Sequence, residues 1–130
     1  MNRETFLRQL AEALQQFVLH SLLLTDILGE LRRSGREGAF LRILLARLKW
    51  LEETGRQAVD HKEFERLDEE IYSMHLSSEG FNMRILYGFL WNERPALLLA
   101  FYERAGKQVT DYTGKIDEAR ARLREIEESL

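Results

Sequence analysis

Apolar residues recur at helical spacing through the first 54 residues of the chain. The first face consists of Phe6, Leu10, Leu14 and Phe17, and the second of Phe40, Leu41, Leu44, Leu45, Leu48 and Leu51. Both spacings match the 3.6-residue period of a helix. We predict an N-terminal helix whose apolar face packs on the core, with self-association as the alternative. We also predict a helix over residues 38–54, followed by a left-handed cap at Gly55.

The segment between these two helices is ambiguous. Residues 17–24 read FVLHSLLL, and such a short apolar run fits either a buried strand or a continuing helix. Thr25 and Asp26 follow it, and their side chains can accept hydrogen bonds from free backbone N–H groups. We therefore predict a helix start at Thr25-Asp26, with an apolar face from Ile27, Leu28 and Leu31.

After Gly55 the period changes from helical to strand-like. Residues 71–76, residues 83–91 and the fully apolar residues 96–102 read as three strands, separated by turns at 77–80 and 92–95. Short turns between successive strands predict an antiparallel meander. A polar segment, 103–110, leads into a last helix, which Asp111 is expected to cap. Its predicted inner face is Ile116, Ala119, Leu123 and Ile126.

These elements predict an α+β fold, with N-terminal helices packed on a small antiparallel sheet and a closing C-terminal helix. The 130 residues fit one domain. The chain has no cysteine, which excludes disulfides and suits a reducing, cytoplasmic setting. The charged N-terminus does not resemble a signal peptide, and no apolar run approaches the roughly 20 residues of a membrane span.

Charge is distributed unevenly along the chain. The net charge is −3, which argues against a general nucleic-acid binder. Residues 32–56 contain seven basic and three acidic side chains, whereas residues 59–80 contain two basic and seven acidic ones. One region can therefore attract phosphate and the other repels it, although ordinary solvated faces explain the same pattern.

Common catalytic motifs are missing from the sequence. The three histidines lie far apart with no metal-ligand spacing, and the glycines form no phosphate-binding loop. We expect no cofactor and no metal. Asp68, Glu69 and Glu70 are expected to face solvent.

A set of basic and hydroxyl-bearing residues remains around the predicted sheet. His75 and Arg84 lie on neighbouring strands, and Lys107, Thr110 and Tyr112 follow the third strand. Cations neutralise phosphate, and tyrosine and histidine stack on bases, so this face suits RNA. In the alternative reading, Arg84 pairs with the acidic run 59–70, Tyr112 packs at the helix start and His75 is an ordinary surface residue.

An ordered set of sequence words resembles the RelE/ParE superfamily of bacterial toxins, in its phage-derived, HigB-like branch. The words are FERLDEEIYSMHL, NMRILYGFLW, ALLLAFYERAGKQVTDY and IDEARARL. They are similar to that family's leucine–tyrosine strand, arginine-bearing strand, apolar strand, basic turn and closing helix. Residues 17–54 look like its first strand and helical hairpin. The resemblance covers residues 17–126 of a single domain, and residues 1–16 are an extra N-terminal helix.

The resemblance implies a toxin of a type II toxin–antitoxin system, a ribosome-dependent mRNA endoribonuclease that works without metal. In that chemistry the 2′-hydroxyl attacks its own 3′ phosphate. The reaction needs a proton acceptor, positive charge at phosphorus and a proton donor for the leaving oxygen. The implied catalytic residues are Arg84, Tyr112, His75 and Lys107, and the implied RNA-binding residues are Arg104, Tyr72 and Thr110.

Each implied catalytic residue has a role in this reading. Arg84 would stabilise phosphate charge. Tyr112 would act as a base if Lys107 or Arg104 lowers its pKa, and would otherwise stack or donate. Ser73 and His75 occupy positions where the ribonuclease branch often carries two lysines, and His75 can replace one of them as base or acid.

Two other functions stay open. The chain could inhibit a protein target, as the gyrase-poisoning branch does, or be a prophage interaction module without activity. The expected partners are an antitoxin, typically a helix-turn-helix protein, together with the ribosome and mRNA. A homodimer is a further possibility, and no membrane is expected.

Overall fold

The chain forms a helical half followed by a strand-rich half. A computed structural model describes residues 2–78, 80–103 and 111–130, with the backbone alone for residues 32–34. The helices are α1 (Arg3–Leu14), α2 (Leu23–Ser34), α3 (Glu37–Thr54) and α4 (Lys115–Ser129), and a 3-10 helix covers Gly55–Asp60. The strands are β1 (Val18–Leu19), β2 (Phe64–Arg66), β3 (Tyr72–Ser78), β4 (Phe81–Phe89) and β5 (Pro95–Tyr102). The predicted α+β class with a closing C-terminal helix is confirmed.

The five strands form one sheet in the order β1-β5-β4-β3-β2. The antiparallel meander β3-β4-β5 is confirmed, and its register places His75 opposite Arg84 and Arg84 opposite Phe101. Two short strands extend it at the edges. β2 pairs antiparallel with β3, and β1 pairs parallel with β5, with Val18 opposite Ala96.

One face of the sheet is covered by the N-terminal helices. The side chains of Phe6, Leu10 and Leu14 are at most 2% exposed and belong to the same cluster as the apolar stripe of α3. Leu45, which was predicted on that stripe, is 54% exposed and lies outside the cluster. Burying each such side chain contributes roughly 1.5–3 kcal/mol. The N-terminal helix therefore packs on the core, as its periodicity predicted. α3 also matches its predicted bounds, and Gly55 ends it with a positive φ of 56° but a ψ of −126°, outside the left-handed helical region.

The opposite face is covered by α4. Ala119, Leu123 and Ile126 pack there against a second apolar cluster, and Ile116 lies at its margin. Gly88 marks where the helix approaches β4 most closely. A Cβ at this glycine would lie 3.2 Å from Leu123 Cδ2 and 3.1 Å from the Glu70 carbonyl oxygen. A side chain at position 88 would therefore push α4 away from the sheet.

An ion pair lies inside this α4 face. The Arg122 guanidinium is 7% exposed and donates to Asp26 Oδ2 at 2.7 Å, to the Leu98 carbonyl oxygen at 2.9 Å and to Glu118 at 3.0 Å. Asp26 Oδ2 also accepts from the Ala100 amide at 3.2 Å. The network therefore joins α2, β5 and α4.

Besides the Gly55 cap and Leu45, three local predictions were wrong, and in each a contact within the fold explains the difference. α2 begins at Leu23, so Asp26 lies in its first turn and binds Arg122 instead of capping. α4 begins at Lys115 after Gly114, and Asp111 accepts from the Thr113 amide at 3.0 Å. Asp68 and Glu70 are tied to α4, since Asp68 pairs with Arg120 and Glu70 pairs with Arg124, whereas Glu69 faces solvent as predicted.

The ambiguous segment 17–24 contains both alternatives. Val18 and Leu19 form β1, and α2 starts four residues later. Among the residues that the structure describes, no helix combines the length and the apolar composition that a bilayer crossing requires.

Candidate active site

A polar cluster lies on the α4-facing side of the sheet, at the end where β3 turns into β4. Strand alternation directs His75 and Arg84 to this side, because their neighbours Met74, Leu76, Met83 and Ile85 belong to the opposite core cluster. The chain returns to the same place after β5, where the Glu103 amide donates to the Asn82 carbonyl oxygen at 2.7 Å. Three consecutive strands thus deliver polar side chains to one location.

Glu103 is at the centre of this cluster. The residue is 9% exposed, and its Oε2 lies 3.2 Å from Arg84 Nε and 3.5 Å from His75 Nε2. His75 Nε2 also makes a short hydrogen bond with Asn82 Oδ1. Both neighbours of Nε2 are oxygen acceptors, so this nitrogen carries the proton. In the neutral imidazole, Nδ1 is then the basic atom.

Tyr112 lies beside the cluster. Its hydroxyl is 3.1 Å from Ser73 Oγ and 3.2 Å from Glu65 Oε1, and its ring packs edge-on against Phe101. Burial raises the pKa of Tyr112, and the opposing effects of Ser73 and Arg84 do not reverse the shift. The described surroundings therefore do not lower this pKa, as a role as a base would require, and Lys107 and Arg104, from which the lowering was predicted, lie outside the described residues. Stacking and hydrogen-bond donation remain as its roles.

The backbone of His75 is fixed on the outer side of β3. Its amide donates to the Glu63 carbonyl oxygen at 2.8 Å, and its own carbonyl oxygen accepts from Arg47 Nε at 2.8 Å. Burial lowers the pKa of Arg47, and the negative charge of Glu63 opposes that shift. Because β2 begins only at Phe64, Arg47 from α3 replaces the strand partner that this carbonyl would otherwise have. Arg47 is thus placed to position His75.

The structure brings together three of the seven predicted site residues, namely His75, Arg84 and Tyr112. Tyr72 is on the opposite face, where it is 3% exposed, stacks on Tyr87 and accepts a hydrogen bond from Arg56 at 3.0 Å. Tyr72 therefore does not share a face with Arg84, and the prediction that it binds RNA at this site is wrong. Lys107, Arg104 and Thr110 lie outside the described residues.

The alternative reading of these residues is correct only in part. Arg84 pairs with Glu103 instead of the acidic run 59–70. Tyr112 does pack at the start of α4, where its ring contacts Phe101 and its carbonyl oxygen accepts from the Lys115 amide at 2.9 Å. His75 is not an ordinary surface residue, since its side chain is 28% exposed and lies between Asn82 and Glu103.

The sequence did not indicate Glu103 or Asn82 as site residues, and it indicated Ser73 only as the residue at a position where the resembling family often has a lysine. Glu103 directly follows the apolar strand β5, and a carboxylate at the end of a buried strand is a signal that could have identified it. Asn82 and Ser73 could be found only through the strand register, because Asn82 precedes Arg84 by two residues and Ser73 precedes His75 by two. Residues two apart share a face of a strand.

The cluster contains the groups that general acid–base chemistry on a phosphate ester requires. An imidazole can transfer a proton, a carboxylate beside it can stabilise the imidazolium, and a guanidinium can neutralise charge on phosphate oxygens. A protonated phenol lies next to them. Within residues 2–78, 80–103 and 111–130, no group of three or more metal-ligating side chains is present.

Comparison of the chain with known proteins does not assign it to a family. No protein-family model matches the chain, and no curated protein sequence matches it either.

Proposed function

We propose that this protein is the toxin of a type II toxin–antitoxin system and cleaves mRNA on the ribosome by a metal-independent transphosphorylation in the cytoplasm. The observation that carries the proposal is the meeting of His75, Glu103 and Arg84 within 3.5 Å contacts, with Tyr112 beside them. Such a cluster could act on several phosphate esters, and the resemblance to the RelE/ParE superfamily is the reason to propose RNA as the substrate.

The order of elements supports the same proposal. The resemblance implies a first strand, a helical hairpin, three meandering strands and a closing helix. The chain has β1, the α2–α3 hairpin, β3-β4-β5 and α4 in that sequence. α1 precedes them, where the resemblance provides no counterpart.

In the proposed reaction, Nδ1 of His75 accepts the proton of the ribose 2′-hydroxyl as the 2′ oxygen forms its bond to the adjacent phosphorus. Glu103 holds the imidazole through Nε2 and stabilises the imidazolium that results. Arg84 neutralises the charge that accumulates on the phosphate oxygens. The bond between phosphorus and the 5′ oxygen breaks, and the Tyr112 hydroxyl donates a proton to that oxygen. The products are a 2′,3′-cyclic phosphate and a 5′-hydroxyl.

Accessibility fits this division of roles. The His75 side chain is 28% exposed, that of Arg84 16% and that of Glu103 10%. The imidazole is therefore the group that a ribose reaches most easily, and the carboxylate lies behind it. Glu103 is accordingly a positioning residue for His75 in this proposal.

The test is induced expression in a bacterial host, with growth recorded and mRNA 5′ ends mapped. Wild type is compared with the double variant Arg84→Ala/Tyr112→Phe. The control is Arg124→Ala/Tyr102→Phe, because Arg124 is an exposed arginine on α4 and the Tyr102 hydroxyl donates to the turn carbonyl oxygen of Gly80 at 3.4 Å. We expect wild type and control to arrest growth with new mRNA ends, and the double variant to do neither.

Two outcomes replace the proposal with another function. Growth arrest with intact mRNA indicates a toxin that inhibits a protein target. Normal growth with all variants, at matched levels of folded protein, indicates an interaction module. The expected antitoxin is tested separately, by whether co-expression of a helix-turn-helix protein encoded beside this chain restores growth.

A further inference from the structure

The turn between β4 and β5 presents an exposed tryptophan. Trp91 is 83% exposed, more than any other large apolar side chain in the described part of the chain. Burying an indole removes a large apolar area from water, so a tryptophan left exposed gives up a large stabilising free energy. Tryptophan is enriched among the residues that dominate binding at interfaces. The second tryptophan, Trp50, is half-buried and stacks on His61 at 3.9 Å.

The turn that carries Trp91 is tightly bonded. The Leu90 amide donates to the Arg94 carbonyl oxygen and the Glu93 amide to the Leu90 carbonyl oxygen, both at 2.9 Å. Asn92 Oδ1 accepts from the Arg94 amide at 3.1 Å. Trp91 is therefore presented by an ordered turn, which reduces the entropy that a ligand must remove on binding.

The same turn contains backbone strain. Glu93 has a φ of 66° and is the one non-glycine residue with a positive φ in the described ranges. Such a conformation costs on the order of 1 kcal/mol, and the 2.8 Å ion pair from Arg56 to Glu93 helps to hold it. Strain that the surrounding contacts maintain is a feature of ligand-binding turns.

The surroundings of the indole favour RNA over a protein surface. Its neighbours along the turn are Asn92, Glu93 and Arg94, which are all polar and exposed. The Arg94 guanidinium donates to the Gln16 carbonyl oxygen at 3.5 Å and has no carboxylate partner in the described part of the structure. An exposed indole with such a cation three residues later on the same turn is suited to an unpaired base and its phosphate.

We propose that Trp91 is a stacking platform for an unpaired base of single-stranded RNA, with Arg94 neutralising the adjacent phosphate. This inference takes its ligand from the proposed function, but it concerns binding and not cleavage. Arg84 and Trp91 are seven residues apart, and a strand of that length spans roughly 24 Å. The stacked base is therefore several nucleotides from the scissile phosphate.

The experiment measures binding of a fluorescein-labelled, mixed-sequence 2′-O-methyl oligoribonucleotide, which has no 2′-hydroxyl to attack phosphorus. We expect Trp91→Ala to weaken binding roughly 5- to 150-fold, the range for removal of one base–aromatic stack. Arg94→Ala should lower the slope of log K against log salt by about one. Trp50→Phe is the matched control and should bind as wild type does. RNA should also quench the indole emission of the Trp50→Phe protein.

Three results would overturn the inference: no binding by wild type, equal binding by Trp91→Ala, or an RNA-independent shift of Trp91 emission with protein concentration. The last would indicate an interface between protein copies. Circular dichroism of Trp91→Ala checks that the fold is kept. If Trp91-dependent binding persists while no mRNA is cleaved in cells, the proposed function fails and this inference stands.

Discussion

The two faces of the sheet bury different chemistry. The face under α1–α3 holds a ring cluster, in which Tyr87 packs against Phe64, Tyr72 and Phe89 at centroid distances of 5.4–6.3 Å. The α4 face has a smaller apolar cluster with arginine–carboxylate contacts along it. Buried charges are tolerated on the second face because each has a partner of opposite charge. For Arg122 the hydrogen-bond partners come from α2, β5 and α4. The first face provides stability, and the second also carries the candidate site.

The two arginines of the α4 face differ in their surroundings. Arg122 is 7% exposed and is held between α2, α4 and β5 by partners on every side. Arg84 is 16% exposed, and the carboxylate it contacts also lies 3.5 Å from an imidazole. The first arrangement fixes the fold, whereas the second combines a cation with a group that can transfer a proton. We expect substitutions at the two arginines to separate stability from activity.

The largest expected effect on stability is at Asp26. Asp26→Ala removes a carboxylate from a buried arginine, which we expect to lower the free energy of unfolding by about 3 kcal/mol. Urea denaturation at pH 7 measures this. Glu118→Ala is the control, because Glu118 is the exposed partner of the same arginine and should cost less than about 1 kcal/mol. Equal losses of unfolding free energy in the two variants would show that the buried Asp26–Arg122 contact stabilises the fold no more than the exposed Glu118–Arg122 contact does.

The largest expected effect on activity is at Glu103. Glu103→Gln keeps the shape of the side chain but removes the charge that stabilises the imidazolium of His75, so the rate of mRNA cleavage should fall by about 100-fold. Its loss of stability should be smaller than that of Asp26→Ala. A single-turnover assay with ribosome-bound mRNA measures the rate. Glu125→Gln, at an exposed carboxylate that contacts His20, should cleave as wild type does.

A smaller effect is expected from Arg47, which supports His75 from the helical side of the molecule. Arg47→Met removes the donor to the His75 carbonyl oxygen and should reduce cleavage by about 10-fold through misplacement of the imidazole. Amide hydrogen exchange at His75–Ser77 should become faster in the same variant. Arg47→Lys should restore part of the rate, and Arg42→Met, an exposed position on the same helix, should change neither quantity. Unchanged exchange with reduced cleavage would assign Arg47 a different role.

The smallest effect distinguishes the buried Tyr87 from the half-buried Tyr112. The Tyr87 hydroxyl has no hydrogen-bond partner among the described residues, whereas that of Tyr112 contacts Ser73 and Glu65. Tyr112→Phe should therefore cost about 1 kcal/mol of unfolding free energy, and Tyr87→Phe should be neutral or stabilising. Thermal or urea denaturation of both variants at pH 7 decides this.

Alkaline pH adds a second test of the same pair. Burial raises the pKa of both tyrosines in the folded protein. The unfolded chain therefore loses these protons first, near pH ~10, and stability should fall as pH rises from there through the folded values. Each phenylalanine variant should weaken this dependence. A pH dependence identical to that of wild type in both would contradict the assigned direction.

The sequence predicted the parts of the fold that local pattern determines. α3 and the strands β3 to β5 are long segments with a clear period, and each was found within a few residues of its bounds. β2 has three residues and no period of its own, so only its pairing with β3 makes it a strand. Asp26 has the side chain of a helix cap, but Arg122, distant in sequence, binds it instead.

The candidate site was predictable to a smaller extent. His75 and Arg84 could be placed on one face because strand alternation and a short turn fix their register. The local signal at Glu103 is only its position directly after an apolar strand, because its contacts arise from the pairing of β5 with β4 and from the return of the chain to Asn82. The direction of the Tyr112 pKa shift likewise follows from burial, which periodicity does not reveal.

The parallel pairing of β1 with β5 has a consequence for synthesis of the chain on the ribosome. β1 is made before α2 and α3, but its partner residues Ala96 and Leu97 emerge only after most of the chain has been translated. The helical half must therefore wait beside an incomplete sheet, and closing it is a long-range step of the kind that slows folding. His75, Arg84, Glu103 and Tyr112 all belong to the later half. The candidate site can therefore form only after the helical half has been synthesised.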